Sequence, residues 1–205
     1  MTDQDRPPNT VSIFETSSQY EDIVFEQLDA TKSSITSSEF QRCTFRKVQL
    51  KEAALSKCKL ESCVLESCDL SLLRIYNSAF IDVQFRDCKL TGMNWTDARR
   101  CSSISFERCV LDYSSLVGLD FRKTDFRDCR LVEANFAEAN LTEANFAGSD
   151  LTGCRFLKTN LTRCDLSNAR GYVISLTENT VKGMRVSLAG AVSMLQTLGI
   201  RVDGF

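Results

Sequence analysis

The sequence predicts an all-β solenoid, short strands wound into stacked turning units, with one short helix at the far end. Three observations carry that expectation. From Leu131 to Leu166 an apolar residue returns at every fifth position: Leu131, Phe136, Leu141, Phe146, Leu151, Phe156, Leu161 and Leu166. Two residues before each stands a small or thiol side chain, Cys129, Ala134, Ala139, Ala144, Ser149, Cys154, Thr159 and Cys164. Between the two comes mostly Asn or Asp, as at Asn135, Asn140, Asn145, Asp150, Asn160 and Asp165. A period of five fits neither the helical stripe at 3.6 nor the strand alternation at 2, so the chain has to turn after each unit to keep both sets buried. Short units that each cover the apolar face of a neighbour stack into a solenoid.

The units Ala134-Asn135-Phe136-Ala137-Glu138, Ala139-Asn140-Leu141-Thr142-Glu143 and Ala144-Asn145-Phe146-Ala147-Gly148 resemble the pentapeptide-repeat family, whose motif reads Ala-Asp/Asn-Leu followed by two variable residues. The resemblance implies a right-handed quadrilateral β-helix with four pentapeptides per square coil, the Leu/Phe and the small residue pointing inward. Residues 20 apart then stack in one column, as Cys43 and Cys63, Cys68 and Cys88, and Cys109 and Cys129 would.

With 205 residues one domain is the default, and a solenoid needs no second. Basic and acidic residues nearly cancel, at 25 against 27, which argues against a direct nucleic-acid binder with its basic stripe. No run reaches the ~18 apolar residues of a membrane span, and Met1 to Thr10 has no apolar segment of the kind that opens a secretory signal. A cytoplasmic protein is expected. Nine of the ten cysteines occupy the small inward slot, where a thiol acts as a small hydrophobe, and reduced thiols are expected there.

Residues 1–12 read as a polar, disordered tail with Pro7 and Pro8, and 13–186 as the solenoid. Val11 to Ile35 is a worn repeat: Tyr20, Phe25 and Ile35 hold the frame, Ala30 sits where a large residue belongs, and Phe14 is one position out of phase. Such an end caps the stack. From Phe40 to Trp95 the frame is clean. It resumes at Phe106, eleven residues on instead of ten, so one extra residue lies within Thr96 to Ser103, around Asp97-Ala98-Arg99-Arg100-Cys101. A single extra residue makes a bulge or a longer corner, which displays Arg99 and Arg100 outward and leaves Cys101 as the one cysteine outside the small inward slot. After Leu166 the motif decays through Leu176, Val181 and Val186. In 187–205, Ser187 caps a helix whose apolar positions Leu188, Ala191, Val192, Leu195 and Leu198 follow helical spacing, Gly199 stops it, and Ile200 to Asp203 alternate as a brief strand. The apolar stripe either folds back over the last coil or meets a second copy of the chain.

The absence of histidine excludes Ser-His-Asp, Cys-His and histidine-metal sites, and there is no Gly-rich phosphate loop. Cys58, Cys63 and Cys68 point toward one interior, but their spacing is not that of zinc ligands, and no metal or other cofactor is expected. Glu133, Glu138 and Glu143 fall on successive faces of a square coil and make no patch; Glu133 shares its column with Tyr113 and Gly153. Trp95 takes an inward slot, with Met93 as its adaptable neighbour. Tyr76 and Tyr113 fall at outward positions and, with Asp97, Arg99 and Arg100, are the candidate partner contacts, set against the reading that they are ordinary surface. Paired acid/base groups and an exposed nucleophile are missing, so no enzyme is expected.

Leu188-Ala189-Gly190-Ala191-Val192-Ser193-Met194-Leu195-Gln196-Thr197-Leu198-Gly199-Ile200-Arg201-Val202 resembles the C-terminal segment of the Qnr, MfpA and McbG group of pentapeptide-repeat proteins, an amphipathic helix followed by a Leu-Gly-Ile/Val strand. The resemblance implies an end-to-end homodimer through Leu188, Ala191, Val192, Leu195, Leu198, Ile200 and Val202. It further implies binding to DNA gyrase or topoisomerase IV by imitation of duplex DNA, with protection from quinolones or peptide toxins. Two readings therefore stand: a topoisomerase-protecting homodimer, or a cytoplasmic protein-binding scaffold with no topoisomerase role.

Overall fold

A computed structural model describes residues 14–203, so the tail expected at 1–12 lies outside the described residues. The chain winds into stacked square coils, and three-residue strands form on its early turns: β1 (Gln19–Glu21), β2 (Val24–Glu26), β3 (Ser34–Thr36), β4 (Glu39–Gln41), β5 (Thr44–Arg46), β6 (Ala54–Ser56), β7 (Lys59–Glu61), β8 (Val64–Glu66), β9 (Ala79–Ile81), β10 (Gln84–Arg86), β11 (Arg100–Ser102) and β12 (Ser105–Glu107). All pair in parallel with the coil above or below, in sheet orders β1-β4-β7-β9-β11, β12-β10-β8-β5-β2 and β3-β6. Later coils keep the same register through single bridges such as Asn140 with Asn160 and Asn145 with Asp165. The twenty-residue column expected from the repeat is thus the register of the fold.

Each motif position has a physical task. The fifth residues are the core: Phe80, Phe106, Leu131, Phe146 and Leu166 are completely or almost completely buried. Four columns of inward side chains result, one per face. Face I carries Tyr20, Phe40, Leu60 and Phe80; face II carries Phe25, Phe45, Leu65 and Phe85. Face III carries Leu50, Leu70, Leu90 and Leu111, and face IV Leu55, Ile75, Trp95 and Leu116. On face II the rings stack like a pile of plates, Phe106 on Phe126 at 5.1 Å and Phe126 on Phe146 at 4.7 Å. Parallel strands of neighbouring coils lie at about this spacing, so identical flat side chains meet at van der Waals contact.

The turn demanded by the period is made two residues after each core residue, where the backbone goes left-handed: φ is 51° at Arg42, 52° at Ser62 and 53° at Asp82. That region costs a non-glycine residue about 1–2 kcal/mol. The strain is offset because the same residue donates its amide to the next coil, as Arg42 does to the Glu61 carbonyl at 2.9 Å. The Asn/Asp signature serves the same corner. Asn135 Oδ1 accepts the Ala137 amide at 3.0 Å and Asn145 Oδ1 the Ala147 amide at 3.1 Å, giving a partner to an N–H that the corner turns away from the ladder.

The extra residue sits between Trp95 and Cys101. Trp95–Asp97 form a 3-10 turn, with Asn94 capping through its side chain, and Ala98 packs against the core. Cys101 corrects the sequence reading in one respect. It does lie outside the small slot, but it faces inward at the large one, in register with Phe80, so the frame resumes at Cys101 and not first at Phe106. The completely buried Trp95 sets its ring edge-on against Phe80, the residue in register with Cys101, and against Phe106. At the first coil, the out-of-phase Phe14 is 2% exposed and sets its ring edge-on against Tyr20, Phe25 and Phe40, the capping role expected of this end.

The last coils end in helix α1 (Leu188–Thr197), whose Ser187 side chain accepts the Gly190 amide. Gly199, at φ 75°, closes it, with Ile200 donating back to the Leu195 carbonyl. The strand expected at Ile200 to Asp203 does not form: among the described residues no neighbouring edge pairs with it, and an alternating segment without a partner has nowhere to place its N–H and C=O groups.

Candidate interaction surfaces

Helix α1 is held by a narrow contact. Gly190 and Met194, one turn apart, are its buried residues, and Tyr172 of the last coil lies under Gly190. The stripe on its other side is left uncovered. Leu188 is 69% exposed and Leu198 and Ile200 are each 45% exposed, while Ala191, Val192, Leu195 and Val202 are half-buried. Of the two alternatives for the stripe, the helix does fold back, but on Gly190 and Met194. Of the residues named for dimerisation, Leu188, Leu198 and Ile200 stay exposed to solvent.

The second group gathers about the extra residue. The Asn77 amide donates to the Asp97 carbonyl at 2.8 Å and the Arg99 amide to the Ser78 carbonyl at 2.8 Å, which sets Asp97 and Arg99 beside the segment that follows Tyr76. Arg100 pairs with Ala79 at the start of face I. Tyr76, Asp97, Arg99 and Arg100 therefore share the corner between faces IV and I, all exposed. Tyr113, 65% exposed, stands apart from them on the opposite edge of face IV, above Gly92 and Leu72. Leu72, 51% exposed with its side chain lying over Gly92, is a surface residue that the repeat frame hid, since it stands at an ordinary corner position.

Charge is distributed as pairs between coils. On face I, Arg42 bonds to Asp22 and Glu21, and Glu143 lies between Lys123 and Arg163. On face II, Arg46 meets Glu66 and Arg108 meets Asp87; on face III, Lys32 meets Glu52 and Arg170 meets Asp150. These guanidinium contacts hold the carboxyls of Asp22, Asp87 and Glu143 below the usual carboxylate range. Asp112 stands out because its carboxylate is buried, accepting from the Val132 amide at 3.0 Å and from Arg130 at 2.9 Å. The signal for it in the sequence is an Asp one place after the core residue, where Ser or Thr is frequent.

All ten cysteines are free thiols. The Cys68 amide lies 3.4 Å from Cys88 Sγ, and the Cys109 amide 3.4 Å from Cys129 Sγ, so the expected column exists. Burial pushes Cys63 up to about 11 and Cys101, Cys154 and Cys164 up to about 12. Among the described residues no three His, Cys, Asp or Glu side chains converge as metal ligands, and no helix is long and apolar enough to cross a membrane.

Two family models match, described as a pentapeptide repeat region over residues 38–116 and as pentapeptide repeats over residues 129–168. No curated protein matches the chain in sequence. Among solved structures, trypsin-treated QnrB1, a plasmid-mediated fluoroquinolone resistance protein, is 22% identical over 94% of this chain and 100% of its own, at a TM-score of 0.47. HetL, a pentapeptide repeat protein involved in heterocyst differentiation regulation from the cyanobacterium Nostoc sp., is 18% identical over 83% of this chain and 87% of its own, at a TM-score of 0.50. Matched motif by motif over both halves of the rod, and wound as those motifs require, the chain belongs to the pentapeptide-repeat family.

Proposed function

We propose that the protein is a homodimeric, protein-binding rod that joins its copies through the C-terminal segment and binds a type II topoisomerase, with no catalytic role of its own. The observation that carries dimerisation is the uncovered stripe of Leu188, Leu198 and Ile200 on a helix already docked by its other side. Complete burial of an exposed Leu or Ile contributes roughly 1.5–3 kcal/mol, and these three, exposed by 69%, 45% and 45%, would gain a corresponding fraction against a second copy. The topoisomerase reading is supported by the resemblance of Leu188 to Val202 to the Qnr, MfpA and McbG segment. Its test is DNA supercoiling and drug-stabilised cleavage by gyrase with the purified protein added. Protection or inhibition at micromolar dimer is expected, and no effect on either reaction removes it.

A second reading, a scaffold for another protein, is favoured by the pairing of charges between coils. Imitation of duplex DNA calls for a continuous negative face, and faces I to III each interleave acids with bonded arginines or lysines. On this reading purified gyrase subunits do not bind the rod in a direct assay.

A further inference from the structure

Most arginines of the rod are bonded to a carboxylate, but the corner between faces IV and I is an exception. Lys57, Arg74, Arg99 and Arg100 are exposed and form no ion pair or side-chain hydrogen bond among the described residues. The backbone brings them around one aromatic ring. Lys57 donates its amide to the Tyr76 carbonyl at 3.0 Å, Arg74 stands two residues before Tyr76 on the same face, and Arg99 and Arg100 follow just past the corner. Tyr76 itself is 67% exposed. The acid among them, Asp97, is occupied by the Asn94 side-chain amide at 2.9 Å. On the other side of Arg74 the surface sinks into an open depression of about 430 Å³, lined by Lys32, Glu52, Leu72 and Arg74, with exposed Leu72 as its apolar wall.

We infer that this corner is a docking surface for an acidic protein segment bearing an apolar or aromatic side chain. The inference rests on the protein-binding reading above and adds where and what. Carboxylates of the segment meet the unpaired guanidinium and ammonium groups, a side chain packs on Tyr76, and another enters the depression beside Leu72. Tyr and Arg together are the residue types that concentrate binding energy at protein interfaces. Unpaired arginine forks suit carboxylates in two-point contact. A nucleic acid fits less well. Its phosphates recur every ~1.7 Å along a duplex and call for a long cationic track, whereas the next unpaired cations along this edge among the described residues, Arg155 and Lys158, stand four coils away from Arg74.

The test uses the full chain and a labelled copolymer of glutamate and tyrosine as probe, read by fluorescence anisotropy. The expected result is micromolar binding that weakens with salt, falls about tenfold or more in Arg99→Glu/Arg100→Glu, and falls several-fold in Tyr76→Ala, which leaves the charge untouched. Lys47→Glu/Lys51→Glu changes net charge equally on other faces and should leave binding within about twofold. Parental melting transitions for all three variants confirm that they fold. The inference is overturned by absent binding at ~100 μM, by undiminished binding in the corner variants, by equal loss in the control, or by a DNA duplex displacing the probe at a lower concentration than free copolymer does. Failure here is separable from failure of the function proposed above. An Arg99→Glu/Arg100→Glu protein that loses the probe yet still acts on gyrase sinks only the corner, and a parent that binds the probe but leaves gyrase unaffected sinks only the topoisomerase reading.

Discussion

The hydroxyl of Tyr172 lies directly beneath Gly190, so close that a methyl group there would stand 1.8 Å from the oxygen and 2.6 Å from the ring carbon bearing it. The same hydroxyl has no hydrogen-bond partner among the described residues. Helix α1 therefore approaches the last coil at the one residue that allows it, and over a polar group left unsatisfied. Gly190→Ala should lift the helix and cost about 1–3 kcal/mol, seen as a lower urea midpoint. Tyr172→Phe should be neutral or stabilising, and should recover part of the loss when combined with Gly190→Ala. Strict additivity of the two changes would disprove the contact.

Within the rod, stability should follow the ring column more than the surface. Phe126→Ala opens a gap between Phe106 and Phe146 and is expected to cost about 3–5 kcal/mol. Arg163→Ala removes an exposed pair with Glu143 and should cost ~0–1 kcal/mol. Chemical denaturation of both variants under one set of conditions decides the order.

Asp112 is the exception among the paired carboxylates. Its removal as Asp112→Ala leaves the part-buried Val132 amide without its partner and should cost about 1–3 kcal/mol, more than Asp22→Ala on the open surface. Equal melting temperatures for the two variants would contradict this.

The thiols give a pH signature. Cys154 and Cys164 ionise in the folded chain only near 12, against an ordinary value of 9.0, because burial opposes the thiolate. The unfolded chain thus loses protons first, so stability is full below the ordinary thiol range and declines as pH climbs through it toward about 12. Thiol titration with an aromatic disulfide reagent at mildly alkaline pH should find the buried cysteines silent until denaturant is added. Rapid labelling of Cys154 or Cys164 in the native protein would show that their coils open.

Replacing Leu195 and Leu198 by Asp should give a well-folded monomer by light scattering. A parent protein that is itself monomeric at high concentration would end the dimer proposal.

The turning unit was legible because a strict period of five buries both Leu131 and Ala134 only if the chain turns after each unit, while the twenty-residue columns followed from the resemblance to the pentapeptide-repeat family. The frame shift was legible to within a few residues, yet not its resolution. Cys101 could be placed only as the one cysteine outside the small slot, because a thiol is too small to mark the large inward position it fills. The last residues failed as a strand for another reason: alternation at Ile200 and Val202 says which side is apolar, not whether an edge is available. The contact surfaces were half legible. Exposed tyrosines at outward positions could be found by phase, but Leu72 and the lack of partners at Arg74 and Lys57 depend on which coils lie above and below.

Since every coil repeats after twenty residues, or twenty-one where the extra residue lies, and rises by ~4.8 Å, the distance from Tyr76 to the last coil, five steps on, is fixed at roughly 25 Å by counting alone. The molecule is in effect a ruler. Inserting a whole coil should move its two working ends apart by one notch while leaving each intact, whereas a single added pentapeptide would keep the interior buried but turn one end a quarter-circle relative to the other; a lone residue taken up in a corner, as between Trp95 and Cys101, changes neither.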